Sequence, residues 1–469
     1  MIQLNIKSQA GFIYKQIYHQ LKDYILTNKL KTGDKLPSKR ELAEREQVSL
    51  NTVSNAYDQL LAEGYIYSVE RLGYFVEDIA PFKNRIEETN YFPDNLRETD
   101  SDLAGWLSLS HNKIDLTDFP FKDWLNHQQI TFKENRLALQ MIPHLQGPLS
   151  VRKTIARMLL FNRGVKCEPE QIILGAGTQG LLKQLIELFP KETVIGLENP
   201  GYPRFHQLFK DNGNQIELID LDQKGVSMTA INQINPNLLV ITPSHQFPTG
   251  VIMPVSRRID ILNWALQDEK RYIIEDDYDS EFKYETDNIP SLQSLDKHDT
   301  VIYNGTFSKT LFAGMRISYM VLPVELLKKY QKVHRNLMCT SNMLELFTLS
   351  RFIEQGDYMS YVRKMNYKYD LKRKKLIKAL ENKFQNQIQI HSIPAGLHFI
   401  AEIKTKITYQ AFSKKAIQQK LELSTLSYFK QTKAHSSDTL TIILGFAHIA
   451  QEDIEEAVAR LYQIINSFI

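Results

Sequence analysis

The chain has 469 residues, 43% hydrophobic and 24% charged, with 20 Gly and 17 Pro and no apolar run of about 18 residues, which excludes disordered, fibrous and membrane-spanning classes and leaves room for several domains. Its 57 basic and 54 acidic side chains give a net charge of only +3, so any signal for nucleic acid has to be local. Two cysteines, Cys167 and Cys339, cannot build a disulfide framework, and the opening MIQLNIKSQAGF lacks the apolar stretch of a signal peptide, so a reducing cytoplasm is the expected compartment.

In chain order, residues 13–27 set Ile13, Ile17, Leu21 and Ile25 four apart, one stripe that predicts a first helix. KTGDKLPSKRELAERE then turns at Gly33 and Asp34. Ser38 with Glu41 three residues later is the pairing that satisfies the unpaired N–H groups of a helix start reciprocally, so a short second helix begins there. Ser49 can cap a third helix, over which Val53, Ala56, Tyr57, Leu60 and Leu61 repeat at helical spacing until near Gly64. Asn51, Thr52, Ser54 and Asn55 fall on its outer face, a pattern that a merely solvated surface also shows. YIYSVERLGYFVED follows as two short β-rich runs around a turn holding Arg71 and Gly73, a two-stranded wing. Three helices and a wing make a winged helix-turn-helix, assigned to residues 1–78.

These residues resemble the GntR family of bacterial winged-helix regulators, through LPSKRELAEREQVSLNTVSNAYDQLLAEGYI and the wing glycine Gly73. The resemblance implies binding to double-stranded operator DNA, with Arg40 on phosphate, Asn51 and Thr52 entering the major groove, and the wing tip at Gly73 reaching the minor groove. Lys39, Asn55 and Arg71 complete the candidate DNA-facing set. Where many relatives carry Arg, this chain has Leu50, which cannot make a bidentate contact to guanine and suits a thymine methyl instead. Residues 1–78 hold ten Lys or Arg and ten Asp or Glu, with the basic groups clustered at Lys29, Lys31, Lys35, Lys39 and Arg40. Phosphate attraction per module is therefore moderate, which favours binding as a dimer.

From Asp78 to about Leu107 the chain sustains no period and is rich in Asp, Glu, Asn and Pro, a linker assigned to residues 79–105. Beyond it, QIILGAG, TVIGLE, LLVITP, RYIIEDD and TVIYNG are apolar β-like runs separated by helical stretches. That alternation is an α/β domain with a largely parallel sheet, assigned to residues 106–469. No internal repeat is visible, which argues against solenoids and propellers.

Five segments of this domain form a second constellation: GAGTQG at 175–180, NPGYPR at 199–204, HQFPTG at 245–250, EDDYDSEF at 275–282 and GTFSKTLFAGMR at 305–316. In this order they resemble the fold-type I pyridoxal-phosphate aminotransferases over roughly residues 105–469. Joined to a GntR-like head, they resemble the MocR/GabR family of regulators, whose aminotransferase-like domain senses a ligand.

The resemblance implies pyridoxal 5'-phosphate as cofactor and a role for each matching residue. Lys309 forms the Schiff base, which requires an amine whose charged form is disfavoured by burial or nearby positive charge. Asp276, at the end of an apolar run, pairs with the pyridinium nitrogen, Tyr278 contacts the ring hydroxyl and Tyr202 stacks on the ring. GAGTQG, preceding the helical LLKQLIELF, offers backbone N–H groups to the phosphate, and Thr178, Gln179, Thr306, Ser308 and Arg316 complete the cradle. No metal ligand set is expected.

Two departures bear on function. Phe247 stands where aminotransferases commonly carry Asn, leaving Gln246 or His245 to supply the polar contact. Residues 437–448 contain no Arg, and Ile443 occupies the place of the residue that clamps a substrate α-carboxylate; Arg204 stays as an effector anchor from another side. The expectation is a transcription regulator that binds operator DNA and pyridoxal phosphate. Its effector is the cofactor itself, in control of vitamin B6 synthesis, or an amino acid such as γ-aminobutyrate; the alternative is an active aminotransferase with an accessory DNA-binding domain. The resemblance also implies a head-to-tail homodimer without membrane association.

Overall fold

The apolar stripe of the first segment folds as α1 (Ile13–Leu26), which buries Ile17, Leu21 and Ile25. The computed structural model describes residues 4–5, 12–79, 93–98, 104–284, 290–391, 395–430 and 438–467. Ser38 starts α2 (Lys39–Arg45) with a complete capping box: its hydroxyl accepts from the Glu41 N–H at 3.2 Å while the Glu41 carboxylate accepts from the Ser38 N–H at 3.3 Å. Ser49 accepts from Thr52 N–H at 3.1 Å and starts α3 (Leu50–Ala62), whose Val53, Ala56, Tyr57 and Leu60 share one core with the α1 stripe. β1 (Ile66–Val69) and β2 (Gly73–Val76) pair antiparallel as the wing, and their turn takes positive φ at Arg71 (62°) and Gly73 (116°).

The chain divides into two compact units, Met1–Ser101 and Asp102–Ile469. Of the expected linker, residues 80–92 and 99–103 lie outside the described residues, and Asp94–Leu96 form one 3₁₀ turn.

The large unit opens with β3 (Leu107–Ser108), α4 (Phe121–Glu134), α5 (Arg136–Gln140) and α6 (Leu149–Arg163). The alternation follows: β4 (Ile172–Gly175), α7 (Thr178–Ile186), β5 (Val194–Asn199), α8 (Pro203–Asp211), β6 (Gln215–Asp222), β7 (Gly225–Val226), α9 (Met228–Ile234), β8 (Leu238–Ile241), α10 (Val255–Ala265), β9 (Tyr272–Asp277), β10 (Val301–Thr306) and β11 (Ser318–Val321). These strands build one eight-stranded sheet in the order β4-β11-β10-β9-β8-β5-β6-β7. β10, β9, β8, β5 and β6 run parallel, whereas β11 is antiparallel to both neighbours and β7 to β6.

The sheet is buried on both faces. Leu197, Ile274 and Ile302 pack with Leu181, Leu185 and Phe205 on one side, and Ile241, Ile273 and Val301 with Ile261 and Trp264 on the other. Strands covered on both faces read as continuous apolar runs, which is why five of them are visible in the sequence.

The chain continues through α11 (Val324–Val333), α12 (Met343–Glu354), α13 (Asp357–Phe384), β12 (Ile388–His391), β13 (His398–Lys404), α14 (Tyr409–Gln418), β14 (Leu421–Glu422), β15 (Ser424–Thr425), β16 (Thr439–Gly445) and α15 (Ile454–Asn466). β12, β13, β16 and β15 form a separate antiparallel sheet, and β14 pairs in parallel with β3. Among the described residues no helix is long and apolar enough to cross a membrane.

Candidate functional site

The outer face of α3 presents Leu50, 47% exposed, with exposed Asn51 and Asn55. Thr52 is half-buried, its hydroxyl 2.7 Å from that of the capping Ser49. Arg40 is exposed on α2. Lys39, its neighbour, is turned inward: its ammonium donates to Asp58 Oδ1 at 2.8 Å and Ser54 Oγ at 2.9 Å, so its charge ties α2 to α3. At the wing turn Arg71 extends a side chain 91% exposed. A Cβ on Gly73 would meet Lys35 Cε at 3.4 Å in a backbone conformation that L side chains rarely adopt.

In the large unit strand alternation places the chemistry. Along β9, Ile274 and Asp276 face one side of the sheet, and Glu275 and Asp277 the other. Asn304 lies opposite Asp276 in the β9–β10 register, and its Nδ2 donates to Asp276 Oδ1 at 2.6 Å. On the far side Asp277 accepts from Arg163 Nε at 2.7 Å and Tyr303 OH at 2.5 Å, a buried network that anchors the strand end. Burial pushes the Asp276 carboxyl up to about 7; the Asn304 bond opposes this, and Asp277 and Asp279 add to it.

The strand ends open into a cavity of about 550 Å³ whose walls carry Thr178, Gln179, Tyr202, Asp276, Tyr278, Thr306, Ser308, Lys309 and Arg316, together with Arg204. Sequence positions spread from 178 to 316 thus meet around one space. Lys309 Nζ donates to the His111 carbonyl at 2.8 Å. Burial first and Arg204 second bring its amine down to about 8, against the opposing pull of Asp279.

One end of the cavity is built for an anion. α7 begins at Thr178, inside the glycine-rich segment rather than after it, so Thr178 and Gln179 sit in its first turn. Gly177 has φ 99°, and a Cβ there would lie 2.7 Å from Arg316 Cζ, so only glycine lets the guanidinium pass. Arg316 Nη2 donates to the Ala176 carbonyl at 3.2 Å. Ser318 Oγ donates to Thr306 Oγ1 at 2.8 Å, which also accepts from Ser308 N–H at 3.2 Å. The buried Ser308 Oγ has no hydrogen-bond partner among the described residues. An unpaired hydroxyl, a guanidinium and a helix start lining one cavity are groups able to donate to the oxygens of an anion.

The opposite wall is apolar. Phe247 packs with Ile400, Phe429 and the fully buried Ile443, and Tyr202 places its ring 5.6 Å from that of Phe247. Of the two candidates for the polar contact displaced by Phe247, Gln246 is turned away: its amide nitrogen Nε2 donates to Glu198 Oε2 and the Pro200 carbonyl, both at 3.1 Å. His245 lies behind Tyr278, whose hydroxyl donates to the His245 carbonyl at 3.1 Å.

Sequence reasoning passed over His111, Asp279, Asn304 and His398. Asn304 had a visible signal, a polar residue inside the apolar run TVIYNG; His111 and His398 lie far from the five motifs and become neighbours only through folding.

Residues 104–461 match the family described as aminotransferase class I and II, and residues 13–76 match bacterial regulatory proteins of the gntR family. The chain is 36% identical over 451 residues to the uncharacterized HTH-type transcriptional regulator YdeL of Bacillus subtilis, covering 96% of each. It is 30% identical over 312 residues to the HTH-type pyridoxine biosynthesis transcriptional regulator PdxR of Corynebacterium glutamicum, covering 66% of this chain and 65% of that one. Among solved structures, an archaeal alanine:glyoxylate aminotransferase aligns with a TM-score of 0.70 at 22% identity, covering 78% of this chain and 91% of that one, a likeness of fold.

Proposed function

Because the chain belongs to the MocR/GabR family, a gntR-type winged helix joined to an aminotransferase class I and II domain, we propose that it is a DNA-binding transcription regulator that senses pyridoxal phosphate through Lys309. The observation that carries this reading is one cavity lined by a buried lysine amine brought down to about 8, by the Arg316 guanidinium and by an unpaired serine hydroxyl. These residues fit the cofactor: Thr178, Gln179, Ser308 and Arg316 would hold its phosphate, and Tyr202, Asp276 and Tyr278 would hold its ring. When bound, the cofactor would supply an aldehyde, and the neutral form of the Lys309 amine would be the nucleophile toward it. The protein's part is to raise the neutral fraction of Lys309 by burial and to orient Asp276 through Asn304.

The cofactor is itself the signal in this reading, acting in the cytoplasm on vitamin B6 synthesis. Two facts support the preference. No Arg stands between 437 and 448, so an α-carboxylate loses its bidentate clamp, and Ile443 fills that place within an apolar wall. The relative PdxR bears the name of a pyridoxine biosynthesis regulator.

The protein works as a homodimer, and the effector acts by binding one arrangement of it better than another, since a ligand without such a difference shifts no equilibrium. Arg204 on the cavity wall favours a second reading, in which an amino acid such as γ-aminobutyrate is the effector or is turned over.

A mobility-shift assay on DNA upstream of the protein's own gene, with and without pyridoxal phosphate, tests the first reading. Binding altered by the cofactor in the native protein and not in Lys309→Ala is expected. Rapid conversion of bound cofactor to its amine form by common amino donors, with turnover on 2-oxo acids, would overturn it in favour of an aminotransferase.

A further inference from the structure

One wall of the cavity carries more imidazole lone pairs than the hydrogen-bond donors around it can occupy. Asp279 and His398 line it and His245 lies behind them, 1%, 4% and 2% exposed respectively. His245 Nε2 and both ring nitrogens of the neighbouring His111 have no hydrogen-bond partner among the described residues. A buried nitrogen left in this state costs free energy, and it asks for a water, a ligand or an ion.

The geometry favours an ion. The nitrogen nearest the carboxylate is the other one: His245 Nδ1 lies 3.0 Å from Asp279 Oδ2 and 3.0 Å from the Tyr278 hydroxyl, contacts that an ion on Nδ1 would replace. Two donors bound to one cation at about 2.1 Å are separated by about 3.0 to 3.4 Å, so this pair already has the spacing of two ligands on a shared ion. One donor atom from each of His245, Asp279 and His398 lies within 4.8 Å of the others, so His398 has to draw closer to the other two for the set to close around one ion.

His398 is prepared for that role. Its Nε2 sits 3.1 Å from the Pro248 carbonyl, which leaves Nδ1 to coordinate, the arrangement in which a backbone carbonyl orients a ligating histidine. The two rings are 4.8 Å apart between centres, and His111 stands 6.1 Å from His398. Gly396 packs against the His245 ring so closely that a Cβ would lie 2.7 Å from Nε2, so the backbone itself makes room for the imidazole.

We propose that His245, Asp279 and His398 bind a divalent transition cation of the zinc class, with a remaining coordination position open to the cavity. Two imidazoles and one carboxylate suit Zn²⁺, Co²⁺, Ni²⁺ or Cu²⁺, whereas Mg²⁺ and Ca²⁺ prefer oxygen alone. Asp279 and His398 both line the cavity, so the ion would face whatever ligand enters it. The three residues come from separate segments with no local metal motif, which is why the sequence carries no sign of the site.

The test uses full-length, tag-free, cofactor-free protein stripped with a chelator and titrated with Co²⁺ alone, so its outcome is independent of the cofactor reading. Equilibrium dialysis and visible ligand-field absorption are expected to report one ion per chain. His245→Gln and His398→Gln should each weaken binding at least about tenfold, since losing even an orienting partner of a ligand costs about 10- to 100-fold, while the exposed His298→Gln leaves it unchanged. X-ray absorption at the cobalt edge reads the ligand shell in the unsubstituted protein, where imidazole scattering is expected, so the test survives a variant that fails to fold. Absence of stoichiometric uptake, undiminished binding in both variants, or a shell without imidazole would each overturn the proposal.

Discussion

Capture of an aldehyde needs the neutral form of the lysine amine, so the pH profile of cofactor binding reports the environment of Lys309. An ordinary lysine, with a pKa of about 10.4, is neutral in about four of ten thousand molecules at pH 7. Lys309, brought down to about 8 by burial and Arg204, is neutral in about one of eleven, a gain of roughly 200-fold. Rapid mixing of cofactor-free protein with pyridoxal phosphate, followed by absorbance, should show a rate that climbs about tenfold per pH unit and levels near pH 8. The neighbours set the direction of further shifts. Asp279→Asn removes a carboxylate that favours the ammonium and moves the plateau to lower pH; Arg204→Ala removes a cation that disfavours it and moves the plateau higher. The same depressed pKa has a stability signature. Between pH 8 and the unfolded value near 10.4 the unfolded chain binds the additional proton, so stability contributed at high pH is lost as pH falls through this window, and Lys309→Met should flatten the dependence. A capture rate that rises with undiminished slope to pH 10 in the native protein would refute the reasoning.

Three further outcomes follow from the structure. Gly177→Ala should weaken cofactor affinity about 10- to 150-fold in equilibrium dialysis with the fold retained, because the new Cβ displaces the Arg316 guanidinium and a charge-assisted hydrogen bond is worth about 1.5 to 3 kcal/mol. Arg40→Ala should lower affinity nearly uniformly across DNA sequences and reduce the slope of log affinity against log salt by about one, read by fluorescence anisotropy at several ionic strengths; an unchanged slope removes Arg40 from the phosphate contacts. Ser38→Ala deletes half of the capping box and should cost the winged helix about 1 kcal/mol, visible in the full chain as faster hydrogen exchange of α2 amides, while exchange in the large unit stays as it was.

Local rules made much of the architecture legible. The stripe at Ile17, Leu21 and Ile25, the Ser38–Glu41 pairing and the Ser49 cap depend on residues within one or two turns of each other, and each appears in the structure where the pattern places it. The five apolar runs were readable because a sheet covered on both faces needs no polar alternation. β6 and β11 were harder to see. Gln215–Asp222 mixes polar and apolar residues near the sheet edge, and Ser318–Val321 has Ser and Tyr in two of its four places.

The candidate site divides along the same line. By itself the sequence determined which residue types were available for the chemistry: a lysine flanked by Thr306, Ser308 and Thr310, an acid at a strand end, glycines at a helix start, and no arginine from 437 to 448. Tertiary structure alone decided how they are used. It joined Asn304 to Asp276 through strand register, engaged Lys39 with Asp58, turned Gln246 toward Glu198, and brought His245, Asp279 and His398 within reach of one another. The physical reason is range: a cap, a turn or an apolar stripe is specified by neighbours along the chain, whereas burial, proton affinity and ligand geometry depend on side chains that only folding brings within a few ångströms of each other.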